Sequence, residues 1–170
     1  ETEVYDNGRI VGIGTGTGFI INFLSNRGFG HPVIITNKHV VANASIGRFH
    51  LTFSTNEGLP YIGSHQQFQF SDFEDLWIKH PDPSIDLAAF PIGALLDKVK
   101  KTGSRLFCAP LETTLIPDYN ERDSYSSMED IIMIGYPNGI WDAKNNLPVI
   151  RRGITATHSN LLTYSQAENA

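Results

Sequence analysis

The sequence predicts an all-β fold. Runs rich in β-branched and aromatic residues recur along the chain, and Gly, Pro, Asn and Asp separate them. Helical signals are few and too short to organise a fold. Many short strands joined by loops suit a sandwich or barrel rather than alternating βα units.

Taken in order, strand-like runs occupy residues 9–13, 17–24 and 32–36. Asn37 then offers a cap for a single helical turn over Lys38 to Ala42. Strands are expected at 47–54 and 66–70, where Phe49-His50-Leu51-Thr52-Phe53-Ser54 and Gln66-Gln67-Phe68-Gln69-Phe70 alternate and should bury one face. Runs at 76–80 and 86–92 follow, and Gly93 to Lys101 reads as a short surface helix. Between Thr113 and Asp130 the character changes: Asp118, Glu121, Asp123, Glu129 and Asp130 face only Arg122 of opposite sign, beside Pro117 and several serines. Such a stretch is a solvated connector. Runs at 131–136 and 148–157 come after it. The expected organisation is a complete β unit at 1–112, an acidic connector at 113–130, and the first strands of a second unit at 131–170. Those last strands are too few to close a barrel.

Composition excludes several classes. A chain of 170 residues, 41% of them apolar, can bury a core and is neither disordered nor a fibrous repeat. Its longest candidate for a span, Gly18 to Leu24, falls well short of the roughly 20 residues that cross a bilayer, so no membrane association is expected. With net charge −5 and no basic stripe beyond Arg151-Arg152, the chain is a poor nucleic-acid binder. Cys108 stands alone, so no intrachain disulfide forms. That favours a cytoplasmic over a secreted location, although exported proteins of simple cells also dispense with disulfides. The start at Glu1-Thr2-Glu3, without Met or an apolar leader, is expected of an excised or processed piece. Nothing in the residues speaks to oligomeric state.

Two segments carry the chemistry. Ile35-Thr36-Asn37-Lys38-His39-Val40-Val41 places a histidine just past a strand, and Ser84-Ile85-Asp86-Leu87-Ala88-Ala89-Phe90 places a carboxylate at the head of an apolar run. A serine alcohol needs an adjacent neutral imidazole to take its proton, and a carboxylate on the far ring nitrogen fixes the tautomer. His39 fits the base. Asp86, flanked by Ile85 and Leu87, fits the orienting acid and is expected to be shielded from water. Asp75 and Asp82 compete, but neither opens an apolar run, and Asp82 lies between two prolines.

The order Gly16-Thr17-Gly18-Phe19-Ile20-Ile21, Ile35 to Val41, Asp86-Leu87-Ala88, then Ile134-Gly135-Tyr136-Pro137-Asn138-Gly139 resembles the trypsin-like serine peptidases, in particular their disulfide-free bacterial branch. Arg151-Arg152-Gly153-Ile154-Thr155 resembles the strand that follows the Gly-Tyr-Pro segment. The resemblance runs from about Gly12 to Thr157. It implies a two-barrel fold with the N-terminal barrel complete and the C-terminal barrel only partly present. His39 would be the general base and Asp86 the orienting acid of an endopeptidase acting on a polypeptide substrate, without metal or cofactor. The family's nucleophile sits in a Gly-x-Ser-Gly turn, and no such motif occurs in the 170 residues. The expectation is therefore a serine beyond Ala170, with the oxyanion hole and the specificity pocket near it, and no activity in these residues alone.

Other readings are weighed against this one. His31, His50, His65, His80 and His158 show no metal spacing. Cys108 reads as a small buried apolar residue. Glycines 12, 14, 16 and 18 lack the dinucleotide spacing and a following helix, and instead suit a bent strand that packs closely. Arg9-Ile10-Val11-Gly12 imitates a zymogen cleavage site but lies too near the Gly-Thr-Gly-Phe strand for the new terminus to travel. One rival function is a non-catalytic protease-like domain that binds a peptide or protein partner. Another is a β-sandwich adhesion or carbohydrate-binding module, for which Trp77 and Trp141 would be exposed stacking platforms.

Overall fold

The computed structural model describes residues 1–24 and 30–156, and its regular structure is dominated by β-strand. The strands are β1 (Thr2–Asp6), β2 (Arg9–Gly14), β3 (Phe19–Leu24), β4 (Gly30–Thr36), β5 (Ile46–Ser54), β6 (Pro60–Ser71), β7 (Ile78–Lys79), β8 (Ala88–Pro91), β9 (Leu111–Glu112), β10 (Asp130–Gly135) and β11 (Val149–Ile154). Each run expected to be a strand contains one; the end of the 148–157 run, like His158, lies outside the described residues. Strands β1 and β9 come in addition to those runs. Helices are short: α1 (Lys38–Val41), α2 (Gly93–Lys101) and α3 (Tyr119–Asp123).

The strands form three sheets, ordered β2-β1-β5-β6, β7-β8-β4-β3-β9 and β10-β11. In the first, a long hairpin pairs Phe49 with Phe68 and Gly47 with Phe70. In the second, β4 lies between β3 and β8, with Ile34 opposite Ile20 and Phe90. Among the described residues no sheet closes on itself, so the barrel expected at 1–112 is found as two open sheets. The edge strands β7 and β9 are two residues each, which leaves too short a ladder to join the sheets by hydrogen bonds.

By its contacts the chain divides into two compact units. One comprises Glu1–Thr113 with Gly135–Val149, and the other Thr114–Ile134 with the chain from Ile150. The 136–148 segment thus belongs with the first unit. Tyr136 donates its amide to Thr17 Oγ1 at 2.9 Å, Asn146 Nδ2 donates to Thr52 Oγ1 at 3.0 Å, and Trp141 stacks near His50 at 5.0 Å between ring centres. His65 Nε2 donates to the carbonyl of Ala143 at 3.1 Å. In the second unit, Asp118 caps α3 by accepting from the Glu121 amide, and Arg152 pairs with Asp130 across β10 and β11.

The core of the first unit sits between its two sheets. Ile34, Val41, Phe73, Trp77, Ala88, Phe90 and Ile92 are buried together, with Phe49, Phe70 and Cys108 packed against them. Its aromatic rings meet in sequence: Phe49 with Phe70 at 5.1 Å, Phe70 with Phe90 at 5.3 Å, and Phe90 with Trp77 at 5.4 Å. Offset and edge contacts of this kind add to area burial. Helix α2 buries Val99 and carries Lys98, Lys100 and Lys101 in its last turn, where the helix dipole favours cations.

Glycine is required where β5 crosses this core. A Cβ at Gly47 would lie 2.2–2.3 Å from three ring carbons of Phe73, which is itself buried. Likewise, Gly16 and Gly18 bring β3's approach against Val40 and Ile34 more closely than a side chain allows. Gly47→Ala is expected to destabilise the unit by about 2–3 kcal/mol, the upper range for overpacking. Urea unfolding with an unchanged m-value would measure it, and a loss under about 0.5 kcal/mol would show that Phe73 has room to move.

Candidate functional site

His39 lies in α1, one turn after the buried end of β4. Val41, fully buried, anchors that turn from below, and its tightness comes from Val40 N–H to Asn37 O and Ala42 N–H to Lys38 O. Asp86 lies two residues before β8, at the end of a loop that begins at Pro81. Because β8 pairs with β4 in a register that sets Ala88 opposite Thr36, the residues preceding β8 are carried beside those following β4. Sheet register, rather than proximity in sequence, brings base and acid together.

The contact is direct. His39 Nδ1 and Asp86 Oδ2 are 2.5 Å apart, and Asp86 Oδ1 accepts the backbone N–H of His39 at 3.1 Å. One carboxylate therefore grips the ring and the main chain of the same residue. An ionised carboxylate only accepts, so Nδ1 carries the hydrogen and Nε2 keeps its lone pair. Two neighbours fix the loop: Asn37 Nδ2 donates to the Asp86 carbonyl at 2.9 Å and Lys38 Nζ to the Asp82 carbonyl at 2.7 Å. Asn37 stands at the expected N-cap position, yet its side chain bonds across to this loop instead of capping α1.

The expected shielding of Asp86 is not found. Its side chain is 47% exposed and that of His39 71% exposed. Strand β8 starts at Ala88, so Ile85 and Leu87 lie in the loop and are themselves exposed, leaving the carboxylate at a wet edge. The competing acids are placed elsewhere. Asp82 accepts from the amide and hydroxyl of Ser84 at 2.9 and 2.7 Å, and Asp75 is exposed in the short 3₁₀ helix Phe73–Leu76.

Hydrogen bonding from His39 holds the Asp86 carboxyl below its ordinary value, assisted by the backbone amides of His39 and Lys38. A depressed carboxyl pKa means the contact stabilises the fold above the unfolded value and is lost as pH falls through the folded one. In a ¹³C titration the Asp86 carboxyl is expected to titrate below ordinary aspartates. In His39→Ala its midpoint should move back up; an unmoved midpoint would remove His39 as the cause.

The remaining candidates resolve simply. Burial raises the pKa of the Cys108 thiol, a half-buried group packed on the core, which is the opposite of what a nucleophile needs. Trp77 is buried and Trp141 half-buried against His50, so neither offers an open face for stacking on a sugar. Among the described residues no group of three His, Cys, Asp or Glu could hold a metal ion, and no helix is long and apolar enough to cross a membrane. Sequence reasoning missed Asn37 and Lys38, whose long-range bonds to backbone carbonyls leave no local pattern. Compared with family models, curated proteins and solved structures, the chain matches none.

Proposed function

We propose that His39 and Asp86 are the general base and orienting acid of a trypsin-like serine endopeptidase. The observation that carries this is the double grip of one carboxylate on Nδ1 and the amide of His39. It selects the tautomer whose Nε2 is free to accept a proton, as nucleophilic acyl transfer requires. The two-barrel arrangement belongs to the same proposal, with the two open sheets corresponding to the N-terminal barrel.

In the proposed reaction a serine hydroxyl attacks the peptide carbonyl as its proton passes to His39 Nε2. The imidazolium so formed is held by Asp86. His39 then gives that proton to the departing amine, and water, activated by the same nitrogen, hydrolyses the acyl-enzyme. The 170 residues contain no Gly-x-Ser-Gly, so the reading requires the serine to lie beyond Ala170. No cofactor enters these steps.

The test uses a fluorophosphonate, which labels only an activated serine. The 170-residue chain is expected to remain unlabelled. Protein extended through the serine should label stoichiometrically and cleave casein, and His39→Ala should abolish both. Labelling of the 170 residues alone would refute the placement of the nucleophile. An extended protein that neither labels nor cleaves would favour the non-catalytic domain, which keeps the fold and binds a peptide.

A further inference from the structure

The register of β5 with β6 sets Thr52 opposite His65 and His50 opposite Gln67, so His50, Thr52 and His65 share one face of the hairpin. The segment from Trp141 to Leu147 lies on that face. Trp141 is 5.0 Å from His50 and 6.2 Å from His65 between ring centres, and the two imidazoles are 5.3 Å apart. His65 Nε2 donates to the Ala143 carbonyl at 3.1 Å, and Asn146 Nδ2 to Thr52 Oγ1 at 3.0 Å. The segment is also closed on itself. Asp142 and Leu147 exchange backbone hydrogen bonds at 3.0 and 3.2 Å, and the Asp142 carboxylate accepts the amides of Lys144 and Asn145. It is a small tongue with its own turn, docked on a histidine face.

The docked geometry suits neutral rings. A carbonyl only accepts, so His65 carries its hydrogen on Nε2. Its Nδ1 is buried and meets no partner. A second hydrogen there would be a donor without an acceptor, the costly case for a buried polar atom. Burial, and after it the neighbouring His65, hold the His50 pKa below its ordinary value. A depressed histidine pKa stabilises the docked form above the ordinary value, and that stability is lost as pH falls below it.

The surrounding charges leave this balance in place. Glu1 acts on His50 with both signs, its carboxylate raising the pKa and its ammonium lowering it. Arg48 of β5 is paired with Glu3, β6 offers only His65 and Tyr61, and the tongue carries Asp142 and Lys144. Hydrogen bonds from Asn145 hold the Asp142 carboxyl below its ordinary range, so the turn stays closed at acidities that reach an imidazole. The phenols of Tyr61 and Tyr136 are uncharged in acid.

We propose that the 141–147 tongue is an acid-released flap: docked while His50 and His65 are neutral, it lifts from the β5–β6 face when a proton enters the pair. Trp141, Asn146 and Pro148 wall one side of a half-open cavity between the two sheets, so a lifted tongue opens that cavity further. The device is separate from the His39–Asp86 pair and stands whether or not that pair catalyses.

The experiment measures acrylamide quenching, as bimolecular rate constants from fluorescence lifetimes, between about pH 7.5 and about pH 4. It uses micromolar 170-residue chain and Trp141→Phe, whose remaining indole is Trp77; the difference reports Trp141. Quenching of Trp141 is expected to rise about threefold or more on acidification while Trp77 stays protected. His50→Phe keeps a ring against Trp141 but takes no proton, and should lose the rise; His50→Gln serves if that variant fails to fold. Independently of any variant at position 50, the rise should be centred above about pH 4.5, before ordinary carboxyl groups titrate. The proposal is overturned if Trp141 is equally quenched throughout, if Trp77 becomes accessible in parallel, if a folded His50 variant keeps the rise, or if the rise is centred on the carboxyl range. It is overturned too if acid protects Trp141, which would show the indole face attracting the imidazolium more strongly than burial opposes it.

Discussion

Asp86→Asn is expected to lower kcat of the serine-bearing protein about 10⁴-fold while leaving KM and the fold nearly unchanged. The reason lies in the double grip. Asp86 presents one oxygen to the His39 amide and the other to Nδ1. Asparagine has one oxygen and one NH₂ group. Kept on the backbone N–H, its oxygen leaves the NH₂ facing Nδ1, which must then accept and pass its hydrogen to Nε2. A protonated Nε2 on a neutral ring cannot take the proton of a serine. Turned the other way, the amide opposes NH₂ to the backbone N–H and loses that bond. Either orientation damages the base without removing it. ¹⁵N chemical shifts of His39 report the tautomer and can be read in the 170-residue chain itself, independently of any serine. Should Asp86→Asn retain activity within tenfold, or keep both the hydrogen on Nδ1 and the hydrogen bond of the His39 amide, the proposed role of Asp86 fails.

The pairing behind this expectation is legible in the sequence as order and context: a histidine shortly after an apolar strand and an aspartate shortly before another. Where β8 begins is not legible. Ile85 and Leu87 look like strand neighbours of Asp86, yet the ladder with β4 starts only at Ala88, and the acid is left in water. Strand ends depend on which partner continues the ladder, and a single run of residues does not contain its partner. Strand β9 illustrates the same limit. Leu111 and Glu112 form a strand because they lie parallel to Ile21 and Asn22, with Asn22 Nδ2 donating to Glu112. Strand β1 reads as polar and charged, and its pairing with β2 and β5 decides it. By contrast, α3 has a readable signal in Asp118 followed three residues later by Glu121, hidden by the acidic composition of the whole stretch.

Phe90→Ala is expected to cost about 4 kcal/mol, within the range for truncating a buried aromatic ring. Phe90 is buried in β8 and its ring touches Phe49 and Phe70 of the opposing sheet as well as Trp77. Removing it leaves a void bounded by the rings of Phe49 and Phe70 on paired strands β5 and β6 and by Trp77, a surrounding that collapses poorly. With a urea m-value of about 2 kcal/mol/M, the midpoint should fall by roughly 2 M. Ile13→Ala, on an exposed residue of β2, should stay within about 0.5 kcal/mol and serves as the control. The same change reaches the candidate site, because β8 in register with β4 is what delivers Asp86 to His39. In Phe90→Ala the Asp86 carboxyl should therefore titrate closer to an ordinary aspartate at temperatures where the chain is still folded. A loss below about 1 kcal/mol would mean that the two sheets do not depend on this ring. A large loss with an unmoved Asp86 titration would mean that the 81–86 loop is held by Asn37 and Lys38 alone.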